Sequence, residues 1–237
     1  MRYKYRAMKI VIVEDHLMFR ETVRKVCLED HDFEVVAEAG TGLEAIECII
    51  RSKPDVVVLD IVLPDLDGFA VLDRVRRLGQ DPRVLAISSY CGPYVLFRLE
   101  EARVQGFVDK RSQTLESLRM ALGALRSNRS FFSETFLKMK SDFRHDPLAF
   151  NKLLTKQQMV VLSMVAQEYA DEAIAKHLGI GERTVETHRT LIMRKLEIHS
   201  RMELVHFAKL RGFIPCSQSE FRKTDVRPAR ESAAPGI

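Results

Sequence analysis

Short apolar runs alternate with stretches of helical periodicity along the first half of the chain. Each run is bounded by polar or turn residues, and each following stretch repeats apolar positions every three or four residues. Five such β-then-α units predict a doubly wound α/β domain around a five-stranded parallel sheet, because right-handed crossovers place successive strands in parallel. The predicted strands are Lys9–Val13, Phe33–Ala39, Val56–Leu59, Val84–Ser88 and Gly106–Val108, and the predicted helices are Leu17–Asp30, Thr41–Ser52, Phe69–Leu78, Tyr94–Ala102 and Leu115–Arg126.

The pattern changes after Arg126. Residues 127–150 mix serine, phenylalanine, lysine and aspartate, contain Pro147, and sustain no period. We predict a linker with one helical turn around Glu134–Lys140.

Residues 151–214 return to helical periodicity throughout, which predicts a small all-α, four-helix domain. Asp171 is placed to cap the second of these helices, and Gly179 to form a tight turn after it. Residues 215–237 contain prolines, arginines and serines without apolar periodicity, and are predicted to be disordered. The four helices are predicted at Lys156–Tyr169, Glu172–Leu178, Glu182–Leu196 and Met202–Arg211.

Composition narrows the class of protein only modestly. Of 237 residues, 46% are hydrophobic and 30% are charged, which is ordinary for a globular protein, and the net charge is +4. The four cysteines form no CxxC pair, so neither a zinc site nor a disulfide framework is indicated. No apolar run approaches the roughly 20 residues that a membrane helix needs. We therefore expect a cytoplasmic protein with no membrane association.

Reactive side chains follow the predicted strands. Glu14 and Asp15 follow the first, Asp60 ends the third, Ser88 ends the fourth and Lys110 follows the fifth. Because the carboxyl ends of parallel strands meet at one edge of a sheet, we expect these groups to lie together. Three carboxylates suit a hard divalent cation such as Mg2+, and a carboxylate can attack phosphorus to form an acyl phosphate. Taken singly, each residue could equally be a helix cap, a turn residue or a solvated charge.

Residues 8–126 resemble a response-regulator receiver domain, which implies a flavodoxin-like fold. The segments that carry the resemblance are IVIVEDH (10–16), VVVLDIVLPDLDG (56–68), AISS (86–89) and GFVDK (106–110). By that resemblance, the functional residues are the phosphoacceptor Asp60, the metal-binding pair Glu14 and Asp15, the backbone carbonyl of Val62 as a further metal ligand, the switch hydroxyl Ser88, the phosphoryl-sensing Lys110 and the switch aromatic Phe107.

An enzymatic alternative is a phosphohydrolase that works through an aspartyl phosphate. Such enzymes usually carry a second aspartate two positions after the nucleophile as the general acid, and Val62 stands there instead. The departures from the receiver pattern are small: Leu63 stands where methionine is common, and Arg111 where proline is common. We therefore expect no enzymatic activity beyond self-phosphorylation and dephosphorylation.

The helical domain presents a second kind of site. Val185, Ile192 and Leu196 make one apolar face of the predicted third helix, and the opposite face is polar. Residues 151–212 contain ten lysines and arginines against seven acidic residues, which suits phosphate neutralisation but also an ordinary solvated surface. The predicted DNA-contacting residues are Arg183, Thr184, Glu186, Thr187, Arg189, Thr190, Arg194 and Lys195.

This region resembles a LuxR-type DNA-binding domain from LLTKQQMVVL (153–162) to RMELVHFAKLRGFI (201–214), with Glu182–Leu196 as the recognition helix. The whole chain is therefore similar to a NarL/FixJ-type response regulator. Gly181 departs from the serine that usually caps the recognition helix, and Thr190 and Leu191 replace residues that are often basic or asparagine. These departures leave open whether the recognition helix makes the base contacts that are usual in the family.

The resemblance implies a two-component transcriptional regulator. A sensor histidine kinase phosphorylates Asp60 with Mg2+, and the activated protein binds promoter DNA, as a homodimer on activation or on DNA. A different output remains open, in which the helical domain binds a partner protein instead of DNA.

Overall fold

The computed structural model describes residues 6–29, 32–111, 114–146 and 149–213. Within these ranges, the first part of the chain forms a parallel sheet with helices on both faces, and the second part is helical. The strands are β1 (Met8–Val13), β2 (Phe33–Ala39), β3 (Val56–Asp60), β4 (Arg83–Ser88), β5 (Gly106–Asp109) and β6 (Phe131–Phe132). The helices are α1 (Leu17–Glu29), α2 (Gly42–Ser52), α3 (Gly68–Arg77), α4 (Pro93–Glu101), α5 (Leu115–Arg126), α6 (Glu134–His145), α7 (Phe150–Leu153), α8 (Lys156–Ala166), α9 (Asp171–Leu178), α10 (Glu182–Lys195) and α11 (Arg201–Leu210).

The strand order β2-β1-β3-β4-β5-β6 places β1 and β3 side by side near the middle of the sheet. Strand β1 pairs with β2 on one side and β3 on the other, so the direction of winding reverses there. In a doubly wound sheet, this reversal opens a crevice at the carboxyl ends of the strands. The turn after β1 and the end of β3 therefore border the same crevice.

Successive strand residues supply two separate cores. Val11 and Val13 of β1 belong to the core beneath α2, α3 and α4, whereas Ile10 and Ile12 belong to the core beneath α1 and α5. All four side chains are fully buried. A strand covered on both faces needs apolar residues at consecutive positions, and this explains the uninterrupted apolar runs in the sequence.

The prediction of a doubly wound parallel sheet is confirmed, but the sheet has six strands rather than five. The extra strand lies in the segment predicted as a linker. Phe131 and Phe132 pair in parallel with Gly106 and Phe107, and the Phe131 amide donates to the Gln105 carbonyl at 3.0 Å. The edge of β5 is thereby covered by the chain's own continuation.

The linker is also more helical than predicted. Helix α6 has 12 residues instead of a single turn, and the Ser133 hydroxyl caps it by accepting from the Phe136 amide. Phe136 and Phe143 are buried and Met139 packs beside them, so one face of α6 lies against the core. Their spacing of three and four residues is a helical signal.

The helical domain differs from prediction in three respects. Helix α8 ends at Ala166 instead of Tyr169, and the short helix α7 precedes it. The prediction that Asp171 caps α9 is wrong: Ala170 is the cap residue, and the Asp171 side chain pairs with Arg189 and Arg201. The predicted disorder of residues 215–237 lies outside the described residues.

The two parts of the chain touch through aromatic side chains. Tyr94 of α4 stacks on Phe213, and the Tyr94 amide donates to the Arg211 carbonyl at 3.1 Å. Phe150 of α7 packs against both rings, with centroid distances of 6.1 Å to Tyr94 and 5.0 Å to Phe213. None of the helices in the described ranges is both long and apolar enough to cross a membrane.

Candidate functional site: the acidic crevice and the exposed helix α10

Lys110 lies between two buried carboxylates at the carboxyl edge of the sheet. Its ammonium nitrogen is 2.7 Å from Asp60 Oδ2 and donates to Glu14 Oε1 at 2.8 Å. Lys110 is 10% exposed, and Glu14 is fully buried. The order of strands alone brings these residues together, since they are 50 and 96 positions apart from Lys110 in the chain. The structure thus gathers three of the predicted site residues.

Burial raises the pKa of both carboxyl groups. For Glu14 and Asp60, the largest cause is removal of the charged form from water, and the neighbouring carboxylates add to it. Lys110 opposes this effect on both groups through its hydrogen bonds and its charge. The ammonium group therefore offsets part of the effect that burial has on the pKa of both carboxyl groups.

The backbone around Asp60 fixes the direction of its carboxylate. The Val62 amide donates to Asp60 Oδ1 at 3.0 Å, which leaves Oδ2 facing Lys110. The Gly68 amide donates to the Ile61 carbonyl at 2.8 Å, and a Cβ on Gly68 would lie 2.5 Å from the Asp60 carbonyl oxygen. Only glycine permits this approach, so Gly68 holds the loop after β3 close to the phosphoacceptor candidate.

The two predicted switch residues lie on neighbouring strands. Ser88 is fully buried at the end of β4, its Oγ accepts from the Tyr90 amide at 3.0 Å, and its carbonyl accepts from the Lys110 amide at 2.9 Å. Phe107 is buried in β5 and packs on Phe136 of α6, with ring centroids 5.3 Å apart. The residue predicted as a switch therefore contacts the linker helix directly.

The acidic residues fit a hard divalent cation. Ligand atoms of Glu14, Asp15 and His16 lie within 4.8 Å of one another. Glu14 Oε2 is buried and has no well-aligned donor among the described residues, although Lys110 Nζ is 2.7 Å away. A buried carboxylate oxygen with spare lone pairs suits a cation that prefers oxygen ligands. Asp60 is not part of this three-residue group, and His16 was not predicted to belong to it.

Sequence reasoning also missed two residues at the start of α1. The Arg20 guanidinium donates to the Glu14 carbonyl at 2.6 Å and lies 3.5 Å from Glu38 on β2. The ring centroid of Phe19 lies 5.0 Å from Lys110 Nζ. The contacts of Arg20 with Glu38 and of Phe19 with Lys110 join distant segments, and no local motif marks them.

Helix α10 presents a polar face to solvent. Val185 and Ile192 are its fully buried residues, as the apolar pattern predicts. No side-chain hydrogen bond caps α10 at Gly181, which agrees with glycine's weakness as a cap. Seven of the eight predicted DNA-contacting residues are exposed, namely Arg183, Thr184, Glu186, Thr187, Thr190, Arg194 and Lys195.

Two of the basic residues predicted to contact DNA are engaged within the domain. Arg189 is partly buried and pairs with Asp171 at 2.9 Å. Lys195 donates to the Leu153 carbonyl at 2.8 Å and to Gln158 Oε1 at 2.9 Å. In the described part of the chain, Arg183 and Arg194 make no ion pair or side-chain hydrogen bond with their own charged groups. They are thus the freer cations of this helix.

A parallel-sheet domain with a lysine-bridged acidic crevice, followed by a helix-turn-helix domain, defines a regulator of the receiver-and-output class. Residues 10–122 match the model of the response regulator receiver domain, and residues 152–208 match that of the bacterial regulatory proteins of the luxR family. The chain belongs to the NarL/FixJ-type response regulators, with a receiver and a luxR-family DNA-binding domain.

Known proteins resemble the chain over nearly their whole length. It is 32% identical to a putative transcriptional regulator of Pseudomonas aeruginosa, covering 85% of this chain and 97% of that protein. It is 30% identical to the putative virulence regulator BvgA of Bordetella pertussis, covering 85% and 96%. Promoter-bound RcsB of Salmonella enterica serovar Typhimurium shares the fold, with a TM-score of 0.60, 21% identity, and coverage of 84% and 97%.

Proposed function

We propose that Asp60 accepts a phosphoryl group from a sensor histidine kinase, and that this modification controls promoter binding by α10. The observation that carries the proposal is the position of Lys110, whose ammonium bridges the buried carboxylates of Asp60 and Glu14. The proposal also divides the chain into three parts: a receiver at 8–126, a linker at 127–150 and a DNA-binding domain at 151–214. The chain acts as a regulator and turns over no substrate other than its own acyl phosphate.

The transfer is a displacement at phosphorus. An Asp60 carboxylate oxygen attacks the phosphoryl group on the kinase histidine, an O–P bond forms, and the N–P bond breaks. The imidazole nitrogen keeps the electron pair of that bond and regains a proton from water. Lys110 stays beside the group as a point charge and pairs with its oxygens. Burial suits Asp60 for this role, since few waters compete for its lone pairs.

Glu14, Asp15 and Asp60 would hold Mg2+, together with the Val62 carbonyl predicted from the family resemblance. The cation supplies charge neutralisation between the incoming phosphoryl group and the carboxylates. His16 lies against Asp15, with Nδ1 2.9 Å from Oδ1, and so borders this cluster. The protein's own contribution is a fixed set of oxygen ligands at the end of β1 and β3.

Phosphorylation would be transmitted through Phe107. The phosphoryl group adds about −1.5 to −2 charges, which draws Lys110 and the Ser88 hydroxyl towards Asp60. Phe107 would move together with Ser88. In the unphosphorylated structure, the ring of Phe107 packs on Phe136 of α6. Because α6 leads directly to the contact of Phe150 with Tyr94, a shift of Phe107 changes how the DNA-binding domain is held.

The exposed face of α10 supports DNA as the ligand of the second domain. Seven of its eight predicted DNA-contacting residues are exposed while the domains are in contact, which argues against control by covering them. Release would instead let two copies of the domain align on adjacent half-sites about one helical turn apart. Arg183 and Arg194 are the cations available for phosphate or guanine.

Phosphate uptake tests the first half of the proposal. Full-length protein with Mg2+ and acetyl phosphate should gain one phosphoryl group by intact-protein mass spectrometry, and Asp60→Asn should gain none. Asp73→Asn is the matched control, because Asp73 lies on the exposed side of α3. Uptake by Asp60→Asn at the wild-type rate would refute the assignment.

DNA binding tests the second half. Gel shifts with genomic fragments should reveal complexes that weaken steeply as salt rises, because phosphate contacts release counterions. A protein-interaction domain would instead show no salt-dependent binding to any fragment. That outcome would reject DNA as the ligand while leaving Asp60 phosphorylation intact.

A further inference from the structure

The aromatic ring of Phe19 closes the third side of the Lys110 environment. Phe19 lies in the first turn of α1, soon after the acidic pair, and is partly buried against the core beneath α1 and α5. Its ring centroid is 5.0 Å from Lys110 Nζ, within the range of a cation–π contact. The ammonium group thus faces two carboxylates and one aromatic ring.

The three neighbours interact with the ammonium group of Lys110 in two different ways. Glu14 and Asp60 accept hydrogen bonds from the ammonium at 2.8 and 2.7 Å. The face of an aromatic ring carries negative quadrupole density, so it attracts the charge without using a hydrogen bond. A leucine would fill similar space but offer no such attraction.

The first turns of α1 are anchored, so the ring has a fixed place. Arg20 donates to the Glu14 carbonyl at 2.6 Å, and Arg24 pairs with Glu38 of β2 at 3.1 Å. These contacts tie α1 to the ends of β1 and β2. The backbone that carries Phe19 is therefore held in place beside Lys110.

We propose that Phe19 is a positioning residue for Lys110, and this rests on the proposed phosphorylation of Asp60. On phosphorylation, Lys110 exchanges carboxylate oxygens for phosphoryl oxygens. The ring of Phe19 limits where the ammonium can move and keeps water from the side that it covers. The ammonium group of Lys110 thereby stays close to the position of the incoming phosphoryl group and is shielded from water.

Substitutions at position 19 separate the π face from simple bulk. With acetyl phosphate and Mg2+ as the probe, Phe19→Leu should slow phosphorylation of the full chain about three- to tenfold. Phe19→Trp, which keeps an aromatic face, should retain more than half of the wild-type rate. Phe33→Leu is the matched control, because Phe33 lies in the same core and is not a contact of Lys110; its rate should stay at the wild-type value.

A double-mutant cycle with Lys110→Met gives a readout that a structural role would not move. Phe19→Leu should lower the urea midpoint of unfolding more in wild type than in the Lys110→Met background, because the cation is gone in the latter. Equal losses in both backgrounds, or a Phe19→Trp rate as low as that of Phe19→Leu, would overturn the proposal. If the wild type takes up no phosphate on Asp60, the proposed function fails instead, and the unfolding cycle alone decides whether Phe19 supports Lys110.

Discussion

Tyr94 of α4 and Phe213 beyond α11 stack with ring centroids 4.1 Å apart and ring planes 18° apart. Both rings are almost completely buried, although they belong to different domains. Gly92 and Gly212 meet beside them, where a Cβ on Gly92 would lie 3.2 Å from the Gly212 Cα. The backbones approach so closely that this contact is specific to the present arrangement of the domains. Its strength sets how readily the DNA-binding domain separates from the receiver.

Tyr94→Ala should loosen this contact. Offset aromatic stacking contributes about 0.5–1.5 kcal/mol beyond area burial, and the area lost adds to that figure. We expect the unphosphorylated variant to have a larger radius of gyration by small-angle X-ray scattering. Its affinity for promoter DNA should rise on the order of tenfold, since a factor of ten corresponds to about 1.4 kcal/mol.

Phe213→Ala checks the same contact from the other domain, because it removes the partner ring without altering α4. Tyr169→Ala is the control, since Tyr169 is 45% exposed and not part of the contact. Unchanged scattering and affinity in both Tyr94→Ala and Phe213→Ala would show that the stacked rings do not restrain the domains.

Lys110→Met should destabilise the receiver in a pH-dependent way. Removing one member of a buried charge cluster costs about 3–5 kcal/mol. Burial already raises the pKa of Glu14 and Asp60, and Lys110 holds both values down. Without the lysine, both folded-state pKa values rise further above their unfolded values. The penalty is then complete above the raised pKa values, and it shrinks as pH falls through them towards the unfolded values.

Urea unfolding between pH 8 and pH 5 measures this effect. The difference in the free energy of unfolding between wild type and Lys110→Met should be largest at pH 8 and should decline towards pH 5. Lys209→Met supplies the comparison, because Lys209 pairs with Glu168 at the surface, where solvent screens the interaction and such pairs add little stability. A pH-independent loss for Lys110→Met would contradict the electrostatic account.

The sequence is informative about strands and less so about contacts between segments. Consecutive apolar residues such as Ile10–Val13 are typical of a strand covered on both faces, so the sheet and the meeting of Asp60 with Lys110 could be predicted. Phe131 and Phe132 form a strand only because the open edge of β5 supplies partners for their backbone. A two-residue strand has no period of its own.

The interior of the helical domain shows the same limit. Arg189 looks like a DNA contact by helical spacing, but Asp171 accepts from it across the domain at 3.0 Å. Spacing along one helix cannot reveal a partner on another. The aromatic face of α6 carried a usable signal in Phe136, Met139 and Phe143, since buried residues at these intervals indicate a helix longer than one turn.

Arg194→Ala and Arg189→Ala should therefore have different effects. Arg194 is exposed, so its removal should weaken promoter binding and reduce the slope of affinity against salt by about one phosphate contact, with an unchanged thermal midpoint. Arg189→Ala should lower the midpoint, because Asp171 loses a partner within the domain. Arg183→Ala should behave like Arg194→Ala.

Filter binding between low and moderate salt, together with thermal unfolding, separates the two roles. A lower midpoint for Arg194→Ala, or an unaltered midpoint for Arg189→Ala, would reverse the assignment. Lys176→Ala serves as a control, since Lys176 is exposed on α9 and is not one of the predicted DNA-contacting residues.

Gly181→Ser should stabilise the recognition helix. Gly181 has the extended backbone of a cap residue, with φ −71° and ψ 147°, and a Cβ there would meet only the Thr184 hydroxyl at 3.6 Å. A serine hydroxyl can accept from an amide of the first turn, which contributes a few tenths of a kcal/mol over glycine. We expect a small rise in the thermal midpoint with unchanged promoter affinity. Gly179→Ser is the opposite case, because Gly179 has φ 64° and a side chain strains that conformation. A midpoint that falls for Gly181→Ser would mean that the N-terminus of α10 requires glycine for a reason other than its backbone.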